Sequence, residues 1–304
     1  MSQNASQQDA SHTAIPSVAV GVLCGIATAS FWAAGLAAAK HGVAVGFTPG
    51  ELAFHRYVWA GVLLLPAMAR VGLSDLGGIG WTRGIVIMML AGPVQAISAY
   101  TGFSLVPLAH GAVIQPGTTA LVGLVLAFLV LGEPVKRTRV VGLVAILAGL
   151  LTLAGEAAAT IGGHGVGGDL LFATAGLMWA VFTMFLRQWR IDGFAAARVV
   201  VVLSLLLYAP LYALLFGFDH MMSLGLVENL LQILVQGVFA GLAAIYLFGR
   251  AVTALGAGRA STFAALVPAF TILIGFIFMG ETPTLVQLAG LAIVGIGFRL
   301  ALKT

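Results

Sequence analysis

Leu131-Gly132-Glu133, followed by Pro134-Val135-Lys136-Arg137, and Met279-Gly280-Glu281, followed by Thr282-Pro283-Thr284-Leu285, decide the fold, because the first three residues recur as the second three 148 residues later. Working outward at the same offset, Ala112 falls on Ala260, Phe128 on Phe276, Gly142 on Gly290 and Gly149 on Gly297. Nearer the start of each half, an offset of 147 places Trp32 on Trp179 and Lys40 on Arg187. Self-similarity at a fixed period signals duplicated architecture. The chain therefore reads as two units, 17–157 and 158–304, after a polar tail, 1–16.

Each unit holds five apolar stretches of about 20 residues, the length a helix needs to cross the roughly 30 Å hydrocarbon layer. The expected helices are 17–39, 50–70, 82–104, 108–131, 138–156, 169–188, 194–216, 228–249, 256–280 and 284–302. A helix closes its own backbone hydrogen bonds in lipid, whereas an open sheet leaves edges unpaired. The runs are continuously apolar and lack the period-two alternation of a membrane barrel. The fold class expected is an all-α membrane protein of ten transmembrane helices. Because five is odd, the second unit enters the bilayer inverted relative to the first.

The charges agree with inversion. Lys136, Arg137 and Arg139 follow Glu133, whereas Thr284, Leu285 and Gln287 hold the matching positions after Glu281. With the N-terminus cytoplasmic, twelve of the 14 basic residues fall in inner connections or at the inner C-terminus; Lys40 is outside and Arg56 lies within the second helix. Lys and Arg favour the cytoplasmic side, so both termini are expected there. The tail, Met1 to Pro16, contains no Lys or Arg and so lacks the basic start of a signal peptide.

Composition bounds the function. The chain is 61% hydrophobic and only 8% charged, against about 25% charged residues in soluble domains. The net charge of +4 is scattered over short connections, which argues against nucleic-acid binding. Cys24 is the single cysteine and is read as packing. No catalytic pair, metal-ligand spacing or cofactor motif is visible, so neither an enzyme nor a metal or cofactor site is expected. A receptor or scaffold would leave the duplication unexplained.

These residues resemble the drug/metabolite transporter superfamily, specifically its ten-helix members built from two EamA-type repeats. The carrying segments in the first half are Ser30-Phe31-Trp32, Arg56, Leu131-Gly132-Glu133-Pro134 and the run Val141 to Gly149. In the second half they are Ala254-Leu255, Arg259-Ala260-Ser261, Val267-Pro268, Met279-Gly280-Glu281 and the run Gly290 to Gly295. Among branches of the superfamily, the chain looks most like bacterial amino-acid exporters, including those for aromatic amino acids. The resemblance implies an alternating-access carrier in the inner membrane, with a cavity lined by helices one to four and six to nine and with helices five and ten behind. Inverted repeats supply a physical reason for that mechanism, since they place a site at midplane between two interchangeable arrangements.

Several side chains are candidates for the cavity. Arg56 lies about two turns into the second helix and needs a partner or water there. It either attracts a substrate carboxylate or snorkels outward, and Arg198 begins the matching helix. Gln95 and Ser98 share a face of helix three, Gln115, Thr118 and Thr119 a face of helix four, and Gln232 and Gln236 a face of helix eight. Each set either lines the cavity or ties helices together. Trp32, Trp179, Tyr100 and Tyr246 offer flat apolar surface with a hydrogen-bonding handle, or else form an interfacial belt. Glu51, His55 and Trp59 form one stripe, read as an anchor to headgroups, with pH sensing by His55 as the alternative. Glu133 and Glu281 read as turn caps, and Gly142, Ala145, Gly149, Gly290 and Gly297 as packing stripes. Pro93, Pro116 and Pro268 are expected to bend helices three, four and nine.

No acidic residue falls at the centre of an expected helix. Amino acids are the expected cargo; a purine, a quaternary cation or a sugar derivative is the alternative. The expected partners are that small molecule and lipid, with the protein working as a monomer or weak dimer.

Overall fold

The computed structural model describes residues 17–106, 108–132, 137–155, 161, 163, 166–255, 263, 266–279 and 284–302. Glu133, Gly280 and Glu281 of the repeated motif, the tail 1–16, and Lys136, Arg259, Ser261 and Lys303 lie outside them. The described residues form helices and no strand.

Ten helical spans follow one another among these residues. They are α1 Val18–Val45, α2 Pro49–Val71, α3 Trp81–Leu105, α4 Leu108–Leu129, α5 Arg137–Ala154, α6 Val166–Gln188, α7 Gly193–Leu215, α8 Leu226–Leu255, α9 Val267–Met279 and α10 Leu285–Leu302. Six of them, α1 to α3 and α6 to α8, are long and apolar enough to cross a membrane. The other four are apolar helices of 13 to 22 residues.

Local chemistry sets the starts. Thr48 and Glu51 form a reciprocal capping box, with Pro49 in the first turn of α2. Thr284 and Gln287 do the same for α10. Such a box satisfies backbone donors that a helix start otherwise leaves open. The first helix runs to Val45 rather than 39. The extra turns stay helical because Gly42 packs against Leu52 and Gln232, and because His41 finds Glu228. The eighth extends similarly, to 226–255 against the expected 228–249.

The matching helices of the two halves run antiparallel. On α5 and α10, Gly149 lies against Gly290 and Val294, while Gly297 lies against Gly142 and Ile146. A Cβ on Gly149 would sit 2.6 Å from the Val294 nitrogen, and one on Gly297 equally close to that of Ile146. Only glycine permits this approach, and dispersion between closely packed backbones replaces the hydrophobic effect as the force joining helices in lipid. The glycine stripes are thus the back seam, and the repeats are inverted.

The other interfaces obey the same pseudo-twofold exchange. α1 packs on α8 and α9, and its counterpart α6 packs on α3 and α4. α2 packs on both α7 and α8, as α7 packs on both α2 and α3. The ring of Phe172 on α6 is completely buried and fills a slot between Gly102 of α3 and Gly111 of α4. Ten crossings also predict which helix ends share a side. Accordingly His110 at the start of α4 meets Asp169 at the start of α6, and Gly21 at the start of α1 meets Leu255 at the end of α8.

Candidate functional site

The seam between the halves is lined where α1, α2, α3 and α8 meet. Gly35 lets α8 close on α1, because a Cβ there would lie 2.8 Å from the Ala240 Cβ. Gly237 and Gly241 bring α8 against the backbone of His55 and Arg56 on α2 in the same way. Into this contact α8 delivers Gln236, whose Nε2 donates to the Gly35 carbonyl at 3.0 Å. Its Oε1 accepts from an Arg56 amino group at 3.2 Å.

The Arg56 guanidinium therefore stands between the repeats rather than at a surface. Its Cζ lies 5.9 Å from the Tyr57 ring centre, and the Tyr57 and Tyr100 side chains both interact with the charge. No carboxylate among the described residues pairs with it. A guanidinium carries five donors in a fixed fork, so this arrangement leaves capacity for an anion.

The break in α3 shapes the adjoining wall. Gly92 has φ −102° and ψ −146°, outside the helical region, and Pro93 opens the second segment. The Tyr57 hydroxyl donates to the Ala91 carbonyl at 3.0 Å, securing the break. Gln95 follows within one turn, is 7% exposed, and has no hydrogen-bond partner among the described residues. Its amide keeps accessible surface and is not committed to a described neighbour, which makes Gln95 a neutral candidate beside Arg56.

The remaining sequence candidates separate by role. Gln232 is fully buried and donates to the Ala38 carbonyl at 2.9 Å, while its Oε1 has no partner among the described residues. Gln232 and Gln236 thus both tie α8 to α1, and Gln236 additionally touches Arg56. Thr119 donates to the Gln115 and Gly176 carbonyls, tying α4 to α6, and Thr118 packs over Gly176. The Gln115 amide makes no hydrogen bond to a described residue. Ser98 is turned back to the Val94 carbonyl. Trp179 is 37% exposed and packs on Phe182, and Trp32 packs on Phe248, with ring centres 5.2 and 5.6 Å apart. Tyr246 is half exposed against Phe194, ten residues along α8 from Gln236 and away from Arg56. Pro116 sits inside an unbroken α4, and Pro268 in the first turn of α9.

Two features escape a sequence reading. Helix α8 carries a π-helical segment, Ile233–Ala243, and α7 a shorter one, Ser204–Tyr208. The first contains Gln236; π turns widen a helix and recur at functional sites, but no residue type announces them. The second feature corrects the headgroup-anchor reading of Glu51 and His55, since each is 1% exposed. Trp59 Nε1 donates to His55 Nδ1 at 3.2 Å. An indole N–H can only donate, so Nε2 carries the imidazole proton and donates to Asn229 Oδ1 at 3.1 Å. Asn229 in turn donates to the Met221 and Gly225 carbonyls. The spacing at 51, 55 and 59 marked the stripe, but Asn229, more than 170 residues away, gives it its partner.

Comparison with known proteins completes the assignment. The model of the EamA-like transporter family matches twice, over residues 19–155 and 166–303. A crystal structure of a protein is similar over 94% of this chain and 98% of its own, with a TM-score of 0.69 and 21% identity, a likeness of fold alone. No curated protein sequence matches. With both halves matched, the chain belongs to the EamA-like transporter family of the drug/metabolite transporter superfamily: it is a multi-pass membrane transporter with two copies of the family repeat.

Proposed function

We propose that this transporter exports small metabolites, amino acids foremost, across the bacterial inner membrane by alternating access, with both chain ends in the cytoplasm. The observation that carries the cargo assignment is Arg56: a guanidinium at the repeat seam, held by Gln236 and two tyrosines and without a carboxylate partner among the described residues. A charge at this depth is costly unless compensated, and a substrate carboxylate supplies the compensation. Gln95 then offers a neutral hydrogen-bonding group, and Trp32 and Trp179 offer apolar surface. The same fixed cation repels a quaternary ammonium, which disfavours that alternative.

The orientation rests on the concentration of Lys and Arg in alternate connections. The moving parts in this reading are the two repeats, 17–157 and 158–304, working within a monomer or weak dimer. Counterflow of labelled amino acids into proteoliposomes, run beside a purine, a quaternary amine and a sugar derivative, tests the cargo. Replacement of Gln95, Gln115 and Trp179 tests the site; undiminished amino-acid counterflow in all three variants would remove it.

A further inference from the structure

His41, His55, His110 and His220 all lie at the end of the bundle away from the start of α1. Three of them face carboxylates at 2.8 Å: His41 with Glu228, His110 with Asp169, and His220 with Glu51. Every pair crosses from one repeat to the other. The first joins α1 to α8, the second α4 to α6, and the third joins α2 to the short helix Asp219–Ser223 that precedes α8. Their burial is graded. His110 is fully buried, Glu51 is 1% exposed beneath a His220 side chain that is 58% exposed, and His41 and Glu228 are 40% and 30% exposed.

A neutral imidazole can still donate its one N–H to a carboxylate, but only while it holds both protons is the contact an ion pair with donor and acceptor both charged, the stronger form of the bond. Histidine is the side chain whose ordinary titration falls near neutral pH. The neighbouring groups do not substitute for it. Glu51 also accepts from the Thr48 backbone N–H, and the nearby Tyr208 hydroxyl is committed to the Gly50 carbonyl. Tyr212 lies beside Tyr208. His55, one turn along, accepts from Trp59 and so is held neutral. Lys40 adjoins His41 in sequence, and Asp219 adjoins His220.

We propose that the three pairs are a proton-binding clasp across the repeat seam: protonated imidazoles hold this end shut, and loss of their protons lets the repeats part there. The proton is then a ligand of one access state, and by linkage any substrate that favours the other state competes with it. The proposal rests on the alternating-access reading above, and its test measures distance rather than flux, so failure of the amino-acid assay does not decide it.

The test uses the full chain in lipid nanodiscs with Cys24→Ser, and nitroxide labels at Leu105→Cys and Val227→Cys. These positions are 54% and 75% exposed and lie on opposite repeats at the clasped end. Pulsed dipolar spectroscopy is expected to give a short distance at pH 5.5 and a growing longer component at pH 8.5, the open-to-closed ratio rising about tenfold or more. In a His41→Gln, His220→Gln variant, which alters only the two exposed imidazoles, the longer component is expected at both pH values. Superimposable distributions in the parent at pH 5.5 and 8.5 would overturn the clasp. So would a pH response of undiminished size in the double variant.

Discussion

Replacing Arg56 with glutamine separates a substrate ligand from a structural brace. The guanidinium gives one donor to Gln236 at 3.2 Å and interacts with two tyrosines, which leaves donors for a bidentate carboxylate. Hydrogen bonds to a charged group contribute about 1.5–3 kcal/mol, and each 1.4 kcal/mol is about tenfold in affinity. Arg56→Gln should therefore raise the half-saturating amino-acid concentration in counterflow by about ten- to a hundredfold. The corresponding decarboxylated amine has nothing for the guanidinium to hold, and its half-saturation should change less than about threefold. Arg56→Lys keeps the charge but not the planar fork, so it should fall between. Equal losses with amino acid and amine, in protein of unchanged stability, would refute the carboxylate role and leave Arg56 as a brace.

Other outcomes follow from packing and topology. Gly149→Leu places side-chain atoms where the Val294 nitrogen and Gly290 carbonyl already stand; it should lower unfolding stability by about 1–3 kcal/mol, whereas Gly123→Ala, with open space around it, should be neutral in the same denaturant titration. Asn229→Leu strands the His55 N–H and removes the donors to two carbonyls, a loss of about 1–3 kcal/mol measurable by thermal unfolding in detergent. In a Cys24→Ser background, Arg137→Cys and Thr284→Cys should react from opposite sides with a membrane-impermeant maleimide; labelling from one side would contradict the inverted repeats.

The duplicated Gly-Glu, the charge asymmetry after it and the apolar runs made the ten helices and their inversion legible, because each is a local or periodic property of the chain. The site was legible only in part. Arg56 and Gln236 were marked by polarity in apolar helices, but their contact spans 180 residues and depends on Gly35, Gly237 and Gly241 letting backbones approach. Glu51 looked superficial because it begins a helix, and only the fold puts the Asp219–Ser223 segment over it. The π-helical turns of α7 and α8 leave no trace in composition. Pro93, Pro116 and Pro268 read alike in the sequence, yet Pro93 stands at the break after Gly92, whereas Pro116 is accommodated within a continuous α4.

The contact of α5 with α10 is complementary to itself, Gly142 meeting Gly297 just as Gly149 meets Gly290. A solitary five-helix unit would bare this bald strip to lipid and could cover it with an identical unit inserted upside down. Such a unit must be indifferent to which way it is inserted, which a Lys-Arg cluster just before the strip in sequence forbids. Fusing two copies removes that conflict: one copy can carry Lys136, Arg137 and Arg139 and the other Thr284, Leu285 and Gln287, so that each half is told its orientation while their shared spine keeps the geometry of a homodimer.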